Sequence, residues 1–334
     1  MLLWKQQLIC FHPITQNRIQ NGGCRLGRSA PFLEKRDIMK KKSGGLRREK
    51  MRTYTFLMLP GLILYSVFFI LPILLGIYYS MTDWNGISAK FNFIGAKNYM
   101  DIFQDKAFRK VLFFTIKYTA IFVVLAVIIS VCLALLLNTK IKGRSFFRTM
   151  YFLPAILSML TVSLIFSQIF YRVVPVFGEL LHIQALQTNI LAKREYAMYG
   201  ILFVHLWQGV ALPTLLFLAG LQTIPEELFE AASLDGATGF QKFRYITLFY
   251  LMPTLSVVLV LTLKAGLTVF DYIKCLTDGG PGGSTKSIAF LIYHHAFVQD
   301  KFSYSIAEAI IIGLIVSLVS MLQIKFSGRK KVQA

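Results

Sequence analysis

The chain is written as long apolar blocks separated by shorter polar and basic segments. Six blocks, 55–80, 111–137, 149–170, 198–220, 252–274 and 304–326, each reach the length of about 20 mostly apolar residues that a helix needs to cross roughly 30 Å of hydrocarbon. A backbone in lipid must satisfy its own hydrogen bonds, so the pattern predicts an all-α integral membrane protein with six transmembrane helices over residues 55–326. Pro60 and Pro72 remove backbone donors inside the first block and predict a kink there. Met81-Thr82-Asp83-Trp84-Asn85-Gly86 combines an interfacial aromatic with turn formers, and marks where the chain leaves the bilayer.

Composition points the same way. With 55% hydrophobic and 16% charged residues and a mean hydropathy of +0.59, the chain carries more apolar surface than a soluble globule buries. The formal charge of +20 would suit a nucleic-acid binder, but its distribution decides otherwise. With the amino terminus placed in the cytoplasm, the inside segments 40–54, 138–148, 221–251 and 325–334 hold 7, 4, 2 and 4 Lys+Arg. The opposite segments 81–110, 171–197 and 271–303 hold 5, 3 and 3, so 17 stand against 11 in longer loops. This positive-inside bias puts both termini in the cytoplasm and makes the basic excess a topology signal, with no nucleic-acid partner implied.

Residues 1–54 read as a basic cytoplasmic tail, and 327–334 as a short one. Within the first, residues 1–38 are polar and aperiodic and are expected to be disordered. Met39-Lys40-Lys41-Lys42, followed by Arg47 and Arg48, makes an ordinary basic flank for a first span, so translation is expected to start at Met39. That span serves as its own insertion signal, with no cleavable leader needed. Cys10, Cys24, Cys132 and Cys275 show no C-x-x-C or C-x-x-H spacing, so neither a metal site nor a disulfide framework is expected.

Polar residues inside the blocks are candidates for function. His205, Gln208, Gly209 and Leu212 recur at i, i+3, i+4 and i+7, on one helical face near Trp207. An imidazole, an amide and a glycine suit a sugar-sized polar ligand in an aqueous cavity; the competing reading is hydrogen bonding between helices. Lys117 lies close enough to the end of its block for its stem to snorkel to the interface. Lys264 falls near the middle of the fifth block, where a lysine costs roughly 2.5–3.5 kcal/mol on insertion scales, so it should face protein or water. A functional role and a structural partner remain equal readings for it.

Between the fourth and fifth blocks, the loop 222–251 opens with Thr223 as a potential cap, Pro225, and Glu226 and Glu227, which suit a helix N-terminus. A helix should begin near Ile224, turn at Gly236 and Gly239, and continue as a second stripe of Phe240, Phe243 and Ile246. These residues resemble the EAA loop of binding-protein-dependent ABC importers, whose pattern is E-A-A, three residues, G, nine residues, then I-x-L-P. Glu230, Ala231, Ala232, Gly236, Ile246 and Leu248 match at the right spacing; Phe249 stands where the family has proline, and Pro253 follows. The resemblance extends over about 55–326, and Phe147-Arg148-Thr149, Phe152-Leu153-Pro154 and Thr277-Asp278-Gly279-Gly280-Pro281-Gly282-Gly283 look like the sugar-permease branch.

The resemblance implies a type I ABC importer permease. Glu230, Ala231, Ala232, Asp235, Gly236, Ile246 and Leu248 would couple to a cytoplasmic ATPase. The solute would pass His205, Gln208, Gly209 and Leu212, with Thr262, Ala265 and Val269 on the fifth span. It also implies a second permease subunit, two ABC ATPase subunits, an extracytoplasmic solute-binding protein and surrounding membrane lipid, working by alternating access in a prokaryotic cell membrane. The solute would be a sugar; a polyol phosphate or an amino acid is the alternative.

Other readings fail on chemistry. Gly280-Pro281-Gly282-Gly283-Ser284-Thr285-Lys286-Ser287 imitates a phosphate-binding loop but has Thr285 where glycine must precede the lysine, and no strand leads into it. No catalytic constellation or cofactor site is apparent, so the chain reads as a non-enzyme. An ion-coupled secondary transporter would predict internal repeats and intramembrane carboxylates, and the six blocks hold only Glu308, close to the outer end of the sixth, and Asp271, close to the end of the fifth. A transport-inactive membrane scaffold is the remaining rival.

Overall fold

The computed structural model describes residues 54–139, 143–184 and 186–327. The expectations for residues 1–38, for the Met39 start and for the tail from 328 onward fall outside the described residues. In chain order the helices are α1 (Tyr54–Ser80), α2 (Lys97–Gln104), α3 (Lys106–Asn138), α4 (Arg144–Ile156), α5 (Met159–Leu180), α6 (Ala197–Gly209), α7 (Ala211–Leu221), α8 (Glu226–Leu234), α9 (Gly239–Leu267), α10 (Asp271–Leu276), α11 (Ile288–Phe297) and α12 (Phe302–Ser327). Five of them, α1, α3, α5, α9 and α12, are long and apolar enough to cross a membrane, and α6 with α7 makes a sixth crossing bent by 43°. Among the described residues the one strand-like feature is an isolated bridge between Thr82 and Phe93.

Two compact units are distinguished, residues 1–70 and 71–334. The described part of the first is the opening of α1, exposed along its length except at half-buried Ser66. A π turn at Ser66–Ile70 precedes Pro72. That wider register makes room for a ring which an α turn would press against the carbonyl four residues back.

In the second unit α3 packs along α7 and α9, α10 lies on α5, and α12 packs on α11 and on Leu71–Ser80. Lipid tails are as apolar as leucine, so these helices gain little from the hydrophobic effect and associate through close fit and hydrogen bonds. Small residues set the approach: a Cβ at Gly266 of α9 would stand 2.7 Å from Thr119 Cγ2 of α3, and one at Gly220 of α7 2.7 Å from Thr254 Oγ1 of α9. Buried clusters form around Tyr118, Phe122, Ile201 and Tyr272, and around Phe217, Leu221, Leu251 and Val258.

Two stretches differ from the single spans that the hydropathy pattern suggests. A break at Leu157–Ser158 divides the stretch 149–170 between α4 and α5. The stretch 252–274 is divided at Thr268–Phe270, and α9 runs unbroken from Gly239, so the second helix of the loop is continuous with the span through a π turn at Phe243–Thr247. Hydropathy records burial in lipid or protein, not backbone continuity, so neither break has a signature in it.

Candidate functional site

The segment between α7 and α9 is an exposed elbow. Thr223 does not cap the following helix; its hydroxyl donates to the Gly220 carbonyl at 2.8 Å and closes α7 instead. Helix α8 starts at Glu226 with Pro225 at its cap position, and Glu226 and Glu227 lie in the first turn, where the dipole favours carboxylates. The helix ends in a paired closure. Gly236 N–H donates to the Ser233 carbonyl at 3.2 Å and Ala237 N–H to the Ala232 carbonyl at 2.9 Å. Gly236 supplies the left-handed residue this closure needs, with φ +75°, and a Cβ there would meet nothing within 4 Å. The requirement for glycine at 236 is therefore conformational rather than steric.

A capping box opens α9: Thr238 N–H donates to Gln241 Oε1 at 2.7 Å while Gln241 N–H donates to Thr238 Oγ1 at 3.4 Å. Its signal, threonine with glutamine three residues on, is local and visible in the sequence, although hydropathy does not register it. Lys242 Nζ then donates to Ser233 Oγ at 2.7 Å and ties the two arms. Nothing on α8 is buried: Glu230, Ala231 and Asp235 are exposed and Ala232 half-buried. Leu234 and Phe240, 90% and 73% exposed, stand on the surface, whereas Ile246 and Leu248 are half-buried. The elbow thus presents carboxylates, small residues and large apolar side chains on a fixed backbone.

The fourth-span stripe has the opposite character. His205 Nδ1 shares a 2.9 Å hydrogen bond with the Tyr118 hydroxyl, and its ring is stacked between Phe122 and Tyr272, at centroid distances of 3.8 and 4.6 Å. Gln208 Nε2 donates to the carbonyls of Pro154 and Leu157 at 3.1 and 2.7 Å where α4 breaks from α5, and the Pro154 carbonyl also accepts from Leu157 N–H at 3.3 Å. The Tyr272 hydroxyl donates to Gln208 Oε1 at 2.8 Å. Gly209 is half-buried, and a Cβ there would stand 3.3 Å from Phe122 Cζ; Leu212 alone of the stripe is exposed. On the fifth span, Thr262 is buried and its hydroxyl donates to the Val258 carbonyl of its own helix, while half-buried Ala265 and buried Val269 pack into the Tyr118–Tyr272 cluster.

His205, Gln208, Gly209 and Leu212 line neither the cavity beside Tyr151 nor the one beside Phe170. His205 Nδ1 and both ends of the Gln208 amide are hydrogen-bonded to protein. The structure brings His205, Gln208, Gly209, Ala265 and Val269 together, with Tyr118 and Tyr272 as partners that sequence reasoning missed. Tyr272 had no signal, because only the break after α9 turns α10 back toward α6. A cavity of about 400 Å³ lies elsewhere, lined by Leu137, Tyr151, Phe152, Thr214 and Leu218 among others, and the hydroxyls of Tyr151 and Thr214 bond each other at 2.9 Å.

Other polar positions singled out in the sequence complete the picture. Glu308 is wholly buried, with Oε2 2.9 Å from His295 Nδ1 of α11, so this acid joins two helices. The glycine-rich run closes on itself: the Thr285 hydroxyl donates to the Gly280 carbonyl at 2.6 Å, and Ser287 caps α11, accepting from Phe290 N–H. Lys264 and Lys117 are exposed.

Residues 126–332 match the family described as binding-protein-dependent transport system inner membrane component. The multiple sugar-binding transport system permease protein MsmF of Streptococcus mutans is 46% identical, over 84% of this chain and 96% of its own. The trehalose/maltose transport system permease protein MalF of Thermococcus litoralis is 35% identical, over 79% of this chain and 89% of its own. Among solved structures, a bacterial ABC transporter involved in the import of the acidic polysaccharide alginate superposes with a TM-score of 0.74 at 22% identity, covering 86% of this chain and 99% of that one. At that identity the likeness speaks for the fold alone.

Proposed function

Because the chain belongs to the family of binding-protein-dependent transport system inner membrane components, we propose that it translocates a sugar delivered by an extracytoplasmic binding protein. A membrane permease of this family is a transporter rather than an enzyme, and ATP is hydrolysed by separate subunits. The sugar assignment draws on the MsmF relative, whose 46% identity extends over most of both chains.

The observation that carries the coupling role is the elbow α8–α9. Its backbone is fixed by the Gly236 closure and the Thr238–Gln241 box, while its carboxylates and apolar side chains are unburied. In this reading Glu230, Ala231, Ala232, Asp235 and Gly236 seat in a cleft of a cytoplasmic ATPase, and Ile246 and Leu248 carry the movement into α9. Both termini are then cytoplasmic, and the working unit holds this chain, a second permease and two ATPase subunits in the cell membrane. Alternating access requires the partners to bind the two conformations with different free energies.

The stripe of His205, Gln208, Gly209 and Leu212, with Thr262, Ala265 and Val269, belongs in this reading to a path closed in the present conformation. Tyrosine hydroxyls and backbone carbonyls bond His205 Nδ1 and the Gln208 amide, and sugar hydroxyls are groups of the same hydrogen-bonding kind. The test is a binding screen of the cognate solute-binding protein against mono-, di- and oligosaccharides, polyol phosphates and amino acids. A saccharide is expected to bind; binding of an amino acid or polyol phosphate alone overturns the sugar assignment and keeps the importer.

A further inference from the structure

The exposed surface of a single membrane chain is of two kinds, one facing lipid and one facing other subunits or water, and apolar residues do not tell them apart. Lys264 does. Its depth follows from its neighbours. Gly266, two residues on, packs against Thr119, which lies eight residues into the apolar block beginning at Val111, about 12 Å at 1.5 Å per residue. Lys264 is deeper, near the middle of roughly 30 Å of hydrocarbon, where an ammonium turned to lipid is costly and beyond snorkelling.

Yet Lys264 is exposed, and among the described residues no carboxylate lies within ion-pair distance of it. The same open side carries Val257, Leu261 and Thr268 at helical spacing, while Thr262 and Val269 are buried and Ala265 half-buried. Thr268 directly follows the end of α9, its N–H and hydroxyl both on the Lys264 carbonyl at 3.0 and 2.9 Å. Asp271, exposed, opens α10 three residues later. An ammonium, a hydroxyl and a carboxylate thus follow one another along the exposed break of the fifth span.

We infer that Lys264, Thr268 and Asp271 line the water-filled translocation path and contact the hydroxyl groups of a polyhydroxylated solute. This rests on the importer reading above and names a face of α9 other than the one the sequence pattern selects. The lysine donates, the carboxylate accepts from neighbouring hydroxyls, and threonine does either. No lipid-facing surface would hold these three groups together.

The test uses the assembled complex of permeases, ATPase subunits and binding protein in lipid, with Ser at positions 10, 24, 132 and 275. Lys264→Cys and Thr268→Cys are compared with Leu314→Cys, an exposed apolar position of α12, using the membrane-impermeant reagent methanethiosulfonate ethyltrimethylammonium. Only the thiolate reacts, and apolar surroundings suppress it, so modification at 264 and 268 is expected to be about 100-fold faster than at 314. Both positions as unreactive as 314, in a complex that assembles and hydrolyses ATP, would overturn the inference. Uptake of a panel of mono-, di- and oligosaccharides is measured on the unmodified complex alongside. Uptake of none of these saccharides with reactive cysteines counts against the sugar reading, while the path assignment stands.

Discussion

The elbow α8–α9 and the network around His205 and Gln208 are both built from polar and small residues at helical spacing, and they are finished in opposite ways. At the elbow the backbone groups are satisfied locally and the side chains are left over. In the network the side chains of His205, Gln208, Tyr118 and Tyr272 bond one another and the carbonyls of a broken helix. Unburied side chains on a fixed backbone are what a docking surface requires, because association then costs little ordering. Side chains bonded across three helices hold packing in place. Polar spacing by itself does not separate the two.

Substitutions can break this contrast. The largest effect is expected from Gly236→Asp, which places a Cβ at φ +75° and a carboxylate at the docking surface; the strain is about 1 kcal/mol. ATPase co-purification and uptake should be lost while the thermal melt of the permease in detergent barely moves. Intact association and uptake would remove the coupling assignment.

Gln208→Leu should do the reverse. It leaves the Leu157 carbonyl and the Tyr272 hydroxyl without their partner and removes one of the two donors to the Pro154 carbonyl, at about 1–3 kcal/mol for a buried group left unpaired. A melting temperature lowered by several degrees is expected, with ATPase association kept. An unchanged melt would show the network to be dispensable for packing.

Tyr272→Phe removes a single bond of that network. Interhelical hydrogen bonds in membranes average about 0.6 kcal/mol, so a small fall in melting temperature is expected, less than for Gln208→Leu. An equal fall would mean that Tyr272, not the broken helix, is what Gln208 serves.

Ser233→Ala breaks the exposed Lys242 tie across the elbow and should change stability by less than about 0.5 kcal/mol. A measurable loss of ATPase affinity with no change in melting would sharpen the view that the elbow's shape is what is recognised.

Outside both regions, Asp83 accepts from the backbone and side chain of Asn92, which hold its carboxyl below the usual carboxylate range. A depressed folded pKa contributes stability above the unfolded value of about 3.8, and that stability is lost as pH falls through the folded value. Melting of the wild type should therefore decline slightly below that pH, and Asp83→Asn should lack that component. A matching decline in the variant would assign it to other carboxylates.

Much of this was legible without coordinates. Helical spans in lipid follow from block length, because no other open structure satisfies a backbone there. The elbow follows from local rules: a glycine where a helix must close left-handed, acids in a first turn, a motif at fixed spacing. Thr223 misled, since a hydroxyl next to a helix end can close the helix before it as readily as cap the one after. The stripe is a different case. Periodicity put His205 and Gln208 on one face but was silent on what that face meets.

What the sequence by itself determined is therefore the all-helical membrane class and the elbow with its cap chemistry, each set by interactions within a few residues or with the solvent. Only the tertiary structure decided that Gln208 bonds the break between α4 and α5, that Tyr272 returns to the fourth span, and that Lys264 stays exposed beside Thr268. Those outcomes depend on where helices stop and cross. In lipid that is settled by close fit around residues such as Gly266 and Gly220, a property of pairs of helices that no single helix encodes.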